Sequence, residues 1–378
     1  MSTKLKTSRE TSRLNAERLP WRRLLTVTRD DAPELSFDGF IAITDGSMKA
    51  SSRDDKTNIP TQLGHWQDFC PSDPNTLLWT RSLMKPFQLL VLMPRLVRTH
   101  LKLEPSDFAL MMGSHNGEPQ HIQALFSLLK RHELTPEDLL CPECYPMDAA
   151  TSRQLKTVKE KASRLYHPCS GKHCAYRLVS QTLEALPEAL RENYCDPEHP
   201  LHQETQLLLQ LMLELFVDFP TTVDGCGLPS FGLHPLQLAK LYQTWAQPLS
   251  DDLSSRFDRH FHPTLSPFWH VLREVMLREA WLIGGTDRLD TRLLQGKVWA
   301  ELPPVYAKEG ADGLLAVGLP AESDYPEGLG IVIKLASGYQ PDVLETVLHF
   351  TLFSLGILSN PPKPSAPSLQ YHWPMLQL

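Results

Sequence analysis

A serine and a lysine three residues apart form the first candidate for nucleophilic chemistry in this sequence. Ser82 and Lys85 lie in the stretch R-S-L-M-K-P, within an apolar segment that predicts a buried helix, and residues at this spacing share one helix face. Burial lowers the pKa of a lysine, and a neutral amine beside a hydroxyl can take its proton. Because S-x-x-K occurs by chance in many helices, this pair alone is a weak indication of catalysis.

A second candidate is the polar stretch G-S-H-N-G-E, which starts at Gly113. It follows the apolar run 108–112, which we interpret as a strand. Loops at strand ends carry catalytic groups because their backbone amides are free to bind an anion. Ser114 and His115 are therefore candidate site residues. The alternative is an ordinary turn in which Ser114 or Asn116 caps the next helix.

Two cysteines in short glycine-bearing turns are candidate metal ligands. Cys169 lies in C-S-G-K-H, just before a predicted helix, and Cys226 lies in D-G-C-G. Thiolates suit zinc. Lys172 is unusual beside a metal-binding cysteine, because an amine binds a metal only when neutral, which requires strong desolvation or direct metal contact. Free thiols in turns are the alternative.

Three more stretches carry groups of chemical interest. G-G-T-D-R-L-D-T starts at Gly284, and K-E-G-A-D-G starts at Lys308 just before a predicted strand; each by itself could be only a turn. The C-P-E-C stretch, with Cys141 and Cys144, is a possible redox pair or half of a second zinc site. Because the sequence has no second C-x-x-C, a structural role is favoured.

The elements that position these residues follow from the apolar pattern. The pattern alternates from Leu24, and the apolar run 40–43 before the Asp45-Gly46 turn predicts a hairpin that opens a sheet. A strand is predicted at 221–223, and an antiparallel pair at 313–319 and 330–335. Helices are predicted at 81–101 with a kink at Pro94, at 121–132, from 135 onward, at 175–186 and at 343–358. Strands at both ends with helices between them predict one α+β domain whose terminal strands meet in a single sheet.

Length and composition set the domain organisation. With 378 residues, 42% of them hydrophobic, the chain can bury a large core. We predict a flexible tail at 1–23, one domain at 24–358 and a proline-rich tail at 359–378. The polar segment 49–75 inside the domain is predicted to be a surface insertion or lid.

Charge and hydropathy exclude several classes of partner. The net charge of -7 opposes binding to a phosphate backbone, so no nucleic-acid partner is expected. No apolar run approaches the roughly 18 residues that a membrane span requires. No apolar stretch follows the basic N-terminal residues as it would in a signal peptide. Seven scattered cysteines fit a reducing compartment, and we expect a cytoplasmic protein.

The six stretches that carry candidate site residues resemble, in their order and in their residues, the motifs of the rhizobial-type L-asparaginases, the zinc-containing class 3 family. That family's pattern runs R-S-x-x-K-P, S-H-x-G-E, C-S-G-K-H, D-G-C-G-x-P, G-T-x-R-x-D-T and K-x-G-A-E-G, and the resemblance covers roughly 24–358. It implies a serine β-lactamase-like fold, with helices packed around a mainly antiparallel sheet, and a homodimer. It also implies hydrolysis of L-asparagine to L-aspartate and ammonia.

The resemblance further implies two Ser-Lys tandems, Ser82 with Lys85 and Ser114 with Lys308. We predict that neutral Lys85 frees Ser82 to attack the amide carbon, and that backbone amides hold the oxyanion. Water then hydrolyses the acyl-enzyme. Ser114 and Lys308 are expected to relay protons or to position the substrate, and the sequence leaves open which of the two serines is the nucleophile.

Zinc and substrate ligands are also implied by the resemblance. Zn²⁺ is expected on Cys169, Lys172 and Cys226, near Asp224, with water as a further ligand. The planar guanidinium of an arginine beside the nucleophile suits the substrate α-carboxylate. The expected substrate-binding residues are Arg81, His115, His173 and Asp224.

Three departures from the family pattern predict a changed substrate preference. Phe37 stands where the family tends to have a histidine, Asp312 replaces a glutamate, and the segment 49–75 is longer than expected.

Two other functions are alternatives to an asparaginase. A penicillin-recognising hydrolase shares S-x-x-K, but Glu309 stands in the middle of its K-T-G triplet and no S-D-N follows the helix. A catalytically silent, zinc-stabilised binding protein is the second.

Overall fold

Antiparallel strands from both ends of the chain build the central sheet. The computed structural model describes residues 21–46, 62, 64–73, 75–98, 101–322 and 324–373. Its strands are Arg22–Arg29 (β1), Ala32–Thr44 (β2), Leu78–Trp79 (β3), Thr221–Val223 (β4), Pro229–Leu233 (β5), Tyr306–Gly310 (β6), Leu314–Leu319 (β7), Leu329–Leu335 (β8) and Leu369–His372 (β9). One sheet has the order β6-β7-β8-β2-β1-β9 with antiparallel neighbours, and β3-β5-β4 form a second, small sheet. The predicted meeting of the terminal strands in one sheet is confirmed.

Helices cover both faces of the large sheet. They are Lys85–Arg98 (α1), Pro105–Met112 (α2), Pro119–Arg131 (α3), Ala149–Thr157 (α4), Ser170–Gln181 (α5), Glu188–Glu192 (α6), Pro200–Leu213 (α7), Pro235–Ala246 (α8), Asp251–His260 (α9), Ser266–Arg278 (α10), Ala280–Ile283 (α11), Leu289–Leu294 (α12) and Pro341–Ser354 (α13). The predicted α+β class is therefore confirmed. None of the helices within the described ranges is long and apolar enough to span a membrane.

The sheet separates two hydrophobic cores. Phe40 and Ala42 of β2 belong to the core that contains α8, whereas Ile41 and Ile43 belong to the core that contains α13. Successive residues of a strand point to opposite faces, so a strand buried on both sides reads as a continuous apolar run. Helix α8 packs closely on β8 at Gly330, which has no side chain. A Cβ at this position would lie 1.9 Å from a carbonyl oxygen of the helix.

The run 108–112, which we interpreted as a strand, is helical. It forms the end of α2, and a capping box of Glu104 and Asp107, with Pro105 in the first turn, starts this helix. Every residue of α2 from Asp107 to Met112 is buried, so the run lacks the polar stripe that would separate a helix from a buried strand. The strand prediction is wrong, and Ser114 follows a helix.

Two turns also differ from the prediction. β1 and β2 join at Asp30 and Asp31, whose φ angles of 48° and 64° suit a tight hairpin turn, whereas Asp45-Gly46 follows the end of β2. The helix predicted from 135 is a single 3-10 turn, Pro136–Asp138, although its capping box is present. A local cap is thus insufficient to predict a helix when no apolar stripe follows it.

The sheet extends beyond the predicted domain end at 358. The segment predicted as a C-terminal tail contributes β9, which pairs with β1, and Trp373 is 2% exposed where it stacks on Phe350. In the predicted insertion 49–75, the side chains of Trp66 and Phe69 are buried in the core around α13. Residues 47–61, 63 and 74 lie outside the described residues, as do residues 1–20 of the predicted N-terminal tail.

Candidate active site

Lys85 lies at the centre of the candidate site, where it begins α1. The 3-10 helix Arg81–Met84 runs directly into α1, and the apolar residues that follow draw the lysine into the core, where it is fully buried. Its Nζ donates hydrogen bonds to Ser114 Oγ at 2.8 Å, to the Pro168 carbonyl oxygen at 3.3 Å and to the Gly113 carbonyl oxygen. Ser114 therefore has an amine within proton-transfer distance.

Burial lowers the pKa of Lys85 from 10.5 to about 8, because the charged ammonium loses its hydration. The Cys169 and Cys226 sulfurs oppose this effect, while the ammonium groups of Lys172 and Lys308 lower the pKa further. A substantial share of Lys85 is neutral in mildly alkaline solution. A neutral amine at this position can accept the hydroxyl proton of a serine.

The observed lysine partners differ from the predicted tandems. The hydroxyl that Lys85 contacts belongs to Ser114, and Lys308 donates instead to Asp290 Oδ2 at 2.7 Å. Ser82 lines the cavity described below, and within the described part of the chain no hydrogen bond joins its side chain to Lys85. The Lys85 side chain extends inward to the loop after α2, so its serine partner is Ser114 and not Ser82, which the spacing of three residues predicts.

The loop after α2 is fixed by its backbone. A Cβ on Gly113 would lie 2.9 Å from the Leu282 carbonyl oxygen, so this close contact requires glycine. Ser114 N donates to the Ile283 carbonyl oxygen at 2.7 Å, and Asn116 N donates to the Gly284 carbonyl oxygen at 2.8 Å. These bonds hold Ser114 against Lys85. They also occupy the Ser114 amide, which is therefore not an oxyanion donor.

The two predicted zinc-binding turns meet beside this loop. Cys169 is the N-cap residue of α5, and Cys226 lies in the turn between β4 and β5. The two sulfurs hydrogen-bond each other, and Lys172 Nζ donates to Cys226 Sγ at 3.4 Å. Helix α5 reaches this position by packing closely on α2, since a Cβ on Gly171 would lie 2.2 Å from the Leu110 carbonyl oxygen.

The pKa values of the two thiols shift in opposite directions. The hydrogen bond from Cys226 lowers the pKa of Cys169 well below its ordinary value, and Lys85 and Lys172 act in the same direction. The same hydrogen bond, together with burial, raises the pKa of Cys226. Burial by itself would lower the pKa of Lys172, but the Cys226 and Cys169 sulfurs and the Asp224 carboxylate raise it.

One nitrogen and one sulfur at these turns are spaced as in a zinc site. Tetrahedral zinc, with sulfur at about 2.3 Å and nitrogen at about 2.0 Å, places those two atoms roughly 3.5 Å apart. Lys172 Nζ lies 3.4 Å from Cys226 Sγ, and Asp224 Oδ2 lies 3.9 Å from the same sulfur. In the portion of the chain that is described, no three His, Cys, Asp or Glu side chains are grouped to hold a metal. Zinc binding would therefore use the lysine, which must lose its proton.

A buried charge network joins α12 to β6. Lys308 Nζ lies 2.7 Å from Asp290 Oδ2, which also accepts a hydrogen bond from Glu309 N at 3.0 Å. Arg288, the N-cap residue of α12, pairs through Nε with Glu309 Oε2. Burial would raise the pKa of Asp290, but Lys308 and Arg288 hold it below its ordinary value. Burial and the Asp290 carboxylate raise the pKa of Glu309, against the opposing effect of Arg288.

Arg81 joins two carboxylates at the cavity. Its Nε lies 2.5 Å from Asp224 Oδ1, and its Nη1 lies 2.5 Å from Asp312 Oδ2. Arg81 has a φ of 48°, in the left-handed region that L side chains disfavour, and its backbone N donates to Ser230 Oγ at 3.0 Å. A strained residue held by a specific hydrogen bond often marks a functional site.

These groups enclose a cavity of about 370 Å³, which lies in the size range of small-molecule sites. It is lined by Arg81, Ser82, Ser114, Met147, His167, Pro168, Cys169, Asp224, Gly225, Cys226, Arg288, Glu309, Gly310, Ala311, Asp312 and Tyr339. Lys85, Lys172 and Lys308 lie behind this lining. The cavity thus brings together residues from all of the stretches that the resemblance used.

His115 and His173, both predicted to contact the substrate, lie behind the cavity wall. Both are fully buried: His115 Nε2 is 2.9 Å from Ser170 Oγ, and His173 Nδ1 is 3.1 Å from Tyr194 Oη. Burial lowers the pKa of each imidazole well below its ordinary value, so both rings are neutral. Their contacts support α5 and the loop after α2, and neither histidine is among the cavity-lining residues.

A comparison with protein families identifies the family of the chain. The model of the L-asparaginase II family matches residues 69–372. The chain belongs to the L-asparaginase II family. It is an amidohydrolase that acts on L-asparagine. The interpretations as a penicillin-recognising hydrolase or as a silent binding protein are accordingly set aside. No curated protein matches the chain significantly.

The site of this asparaginase contains residues that sequence reasoning did not select. Arg288 and Asp290 lie inside the G-G-T-D-R-L-D-T stretch, and Glu309 adjoins Lys308. Their charges within stretches already identified could therefore have marked them as site residues. Tyr339 lines the cavity from the loop between β8 and α13. Nothing in its local sequence indicates that position, because the loop reaches the site only through the fold of the sheet.

The departures from the family pattern fall in different places in this asparaginase. Phe37 packs against the core around α13 and is not among the cavity-lining residues. Asp312 lines the cavity and pairs with Arg81, so of these two departures it is the one at the site. Cys141 and Cys144 are free thiols outside the cavity lining, and burial raises the pKa of Cys141 to about 12.

Proposed function

We propose that this L-asparaginase cleaves the side-chain amide of asparagine by a Ser-Lys mechanism in which Lys85 activates Ser114. The observation that carries the proposal is the 2.8 Å contact between Lys85 Nζ and Ser114 Oγ, with the serine in the cavity wall. The burial that lowers the pKa of Lys85 to about 8 supports it, because the neutral amine is accessible near physiological pH. Ser114 thus replaces Ser82, which the sequence favoured as the nucleophile.

In the acylation step, neutral Lys85 takes the hydroxyl proton as Ser114 Oγ bonds to the amide carbon of the substrate. The protonated lysine then gives this proton to the amide nitrogen. The carbon–nitrogen bond breaks, and ammonia leaves. In the second step, water attacks the resulting ester while Lys85 takes a proton from the water and returns it to Ser114, which releases aspartate. Ser82 supplies a second hydroxyl in the cavity wall.

The charges in the cavity wall suit a zwitterionic amino acid. Arg81 offers a planar guanidinium to the substrate α-carboxylate, as its residue type predicts. Asp224 and Asp312 flank that guanidinium, each at 2.5 Å, and are the carboxylates available to the α-ammonium group. Both substrate charges are then matched at one end of the cavity, and the amide is left at the Ser114 end.

The proposal includes Zn²⁺ held by Cys169, Lys172 and Cys226. Its support is the fit of the sulfur and nitrogen donors described above, together with the resemblance to the zinc-containing class 3 enzymes. A zinc ion there would fix the orientation of the cavity wall and polarise nearby groups. Cys169 and Cys226 line the cavity directly, so their geometry sets the shape of this wall.

We extend the proposal to the finer assignments of fold, assembly and compartment. The resemblance supports a serine β-lactamase-like fold and a homodimer. The antiparallel sheet, with the Ser-Lys stretch at the start of a buried helix, is in keeping with that fold. All seven cysteines are free thiols, which supports a reducing, cytoplasmic compartment.

Ammonia release from asparagine by serine variants tests the mechanism. Ser114→Ala should lose on the order of 10³ or more in turnover, because removing the nucleophile disables the whole unit. Ser82→Ala should retain measurable turnover, and Ser255→Ala, at an exposed position of α9, is the matched control. Thermal melting establishes that each variant is folded. Near-normal turnover of Ser114→Ala, with loss in Ser82→Ala, would contradict the proposal.

A further inference from the structure

Glu309 is a cavity-lining carboxylate that the Ser-Lys chemistry leaves without a role. It lies on β6 and is 1% exposed, although it borders the cavity. Both of its oxygens are engaged: Oε2 pairs with Arg288 Nε, and Oε1 accepts a hydrogen bond from Tyr339 Oη at 3.2 Å. A carboxylate this buried is unfavourable unless it is paired, so its two donors fix its orientation.

The other end of the Arg288 guanidinium reaches the loop after α2, which carries Ser114. Nη1 of Arg288 donates to the Ser114 carbonyl oxygen at 3.1 Å and to Asn116 Oδ1 at 3.1 Å. The donors of a guanidinium are rigidly coplanar, so the direction of Nη1 depends on how Nε is held. Arg288 is 9% exposed, and this burial leaves it little space for other rotamers. The ion pair between Arg288 Nε and Glu309 is therefore coupled to the hydrogen bond from Arg288 Nη1 to the Ser114 carbonyl oxygen.

No other described carboxylate is placed to substitute at Nε with the same geometry. Asp290 Oδ1 lies 3.9 Å from Arg288 Nε, beyond hydrogen-bond distance, while Asp290 Oδ2 accepts from Lys308 Nζ and from Glu309 N. Tyr339 lies over the guanidinium at 5.9 Å and so packs on Arg288 as well as donating to Glu309. Loss of Glu309 would leave Arg288 without its close anionic partner.

We propose that Glu309 is a positioning residue: it orients Arg288, which in turn holds the Ser114 main chain so that the hydroxyl stays at hydrogen-bond distance from Lys85. This inference rests on the proposed function, in which Ser114 is the nucleophile. Since displacement of a reacting group by about 1 Å can lower a rate by about 10²-fold, loss of this support should appear in kcat.

Kinetics of Glu309 variants test the proposal on two substrates, asparagine and succinamate, which lacks the α-amine. Glu309→Ala should lower kcat on the order of 10²-fold for both, with KM changed by less than about threefold, because an interaction that shapes the reacting geometry does not govern uniform binding. Glu309→Gln keeps the shape and an acceptor oxygen and should recover part of kcat. Tyr339→Phe removes one hydrogen bond and should have a smaller effect in the same direction.

Glu322→Ala, an exposed glutamate between β7 and β8, is the matched control and should behave as wild type. A higher KM for asparagine with kcat unchanged, and no effect on succinamate, would overturn the proposal and assign Glu309 to binding of the α-ammonium group. Unchanged kinetics in both Glu309 variants would also overturn it. If Glu309→Ala fails to fold, Glu309→Gln and Tyr339→Phe decide the question.

The two proposals fail in distinguishable ways. Full activity of Ser114→Ala would refute the proposed function, whatever the Glu309 variants show. An inactive Ser114→Ala with normal Glu309 variants would leave the Ser-Lys mechanism standing and refute only the positioning role.

Discussion

We expect turnover to rise with pH as Lys85 loses its proton, because only the neutral amine can accept the Ser114 hydroxyl proton. Burial lowers the pKa of this lysine from 10.5 to about 8. The value of kcat/KM should therefore fall about tenfold for each pH unit below that pKa and level off above it. Lys85→Met removes the base and should abolish this pH-dependent activity.

The same change in pKa makes stability depend on pH. Between the folded and unfolded pKa values of Lys85, about 8 and 10.5, the unfolded chain binds more protons, so the free energy of unfolding rises with pH. At roughly 1.4 kcal/mol per pH unit, this interval corresponds to about 3 kcal/mol. Below about pH 8, burial of the charged lysine lowers the free energy of unfolding by this amount, about 3 kcal/mol, and this destabilisation disappears as pH rises through 10.5. Lys85→Met carries no such cost.

Two measurements check this reasoning. Ammonia release from succinamate, whose lack of an α-amine removes the substrate's own titration, gives the rate profile from about pH 6 to about pH 10. Denaturant unfolding gives the free energies of unfolding of wild type and Lys85→Met. Between about pH 7 and about pH 10.5, the value for wild type should rise by about 3 kcal/mol relative to that of the variant. Lys130→Met, at an exposed position of α3, is the matched control. A flat rate profile, or a stability difference independent of pH, would refute the role of a buried, titrating Lys85.

Two other substitutions test the metal and the helix packing. Cys226→Ala should remove one zinc per chain by elemental analysis, because a three-ligand protein site has no redundancy, whereas Cys141→Ala should leave the zinc content unchanged. Equal zinc in both variants would contradict the ligand set. Gly171→Ala should lower the free energy of unfolding on the order of 2 kcal/mol or more, since the new Cβ would lie 2.2 Å from the Leu110 carbonyl oxygen. Gly225→Ala, where the nearest atom is 3.8 Å away, is its control; equal stabilities would refute the packing argument.

The sequence by itself determined which stretches supply most of the cavity lining and which local elements carry several of them. The C-S-G-K-H stretch was placed before a predicted helix, and α5 begins at Ser170. The apolar runs at 313–319 and 330–335 predicted the antiparallel pair found as β7 and β8. Caps, turn residues and apolar periodicity act between neighbours in the chain, so they can be recognised without the fold. The run 108–112 was misassigned because an element that is apolar on all sides has no such periodicity.

Only the tertiary structure decided which side chains meet. Lys85 contacts Ser114, 29 residues further along the chain, and Lys308 contacts Asp290, 18 residues away; both separations are too long for neighbouring side chains of one helix or strand. Tyr339 reaches the cavity because the sheet carries the loop after β8 there. The pKa of Lys85 is likewise a property of the fold, since an extended chain would leave its amine in water. Contacts and burial depend on how helices pack against each other and on the sheet, and that packing is set by the whole chain at once.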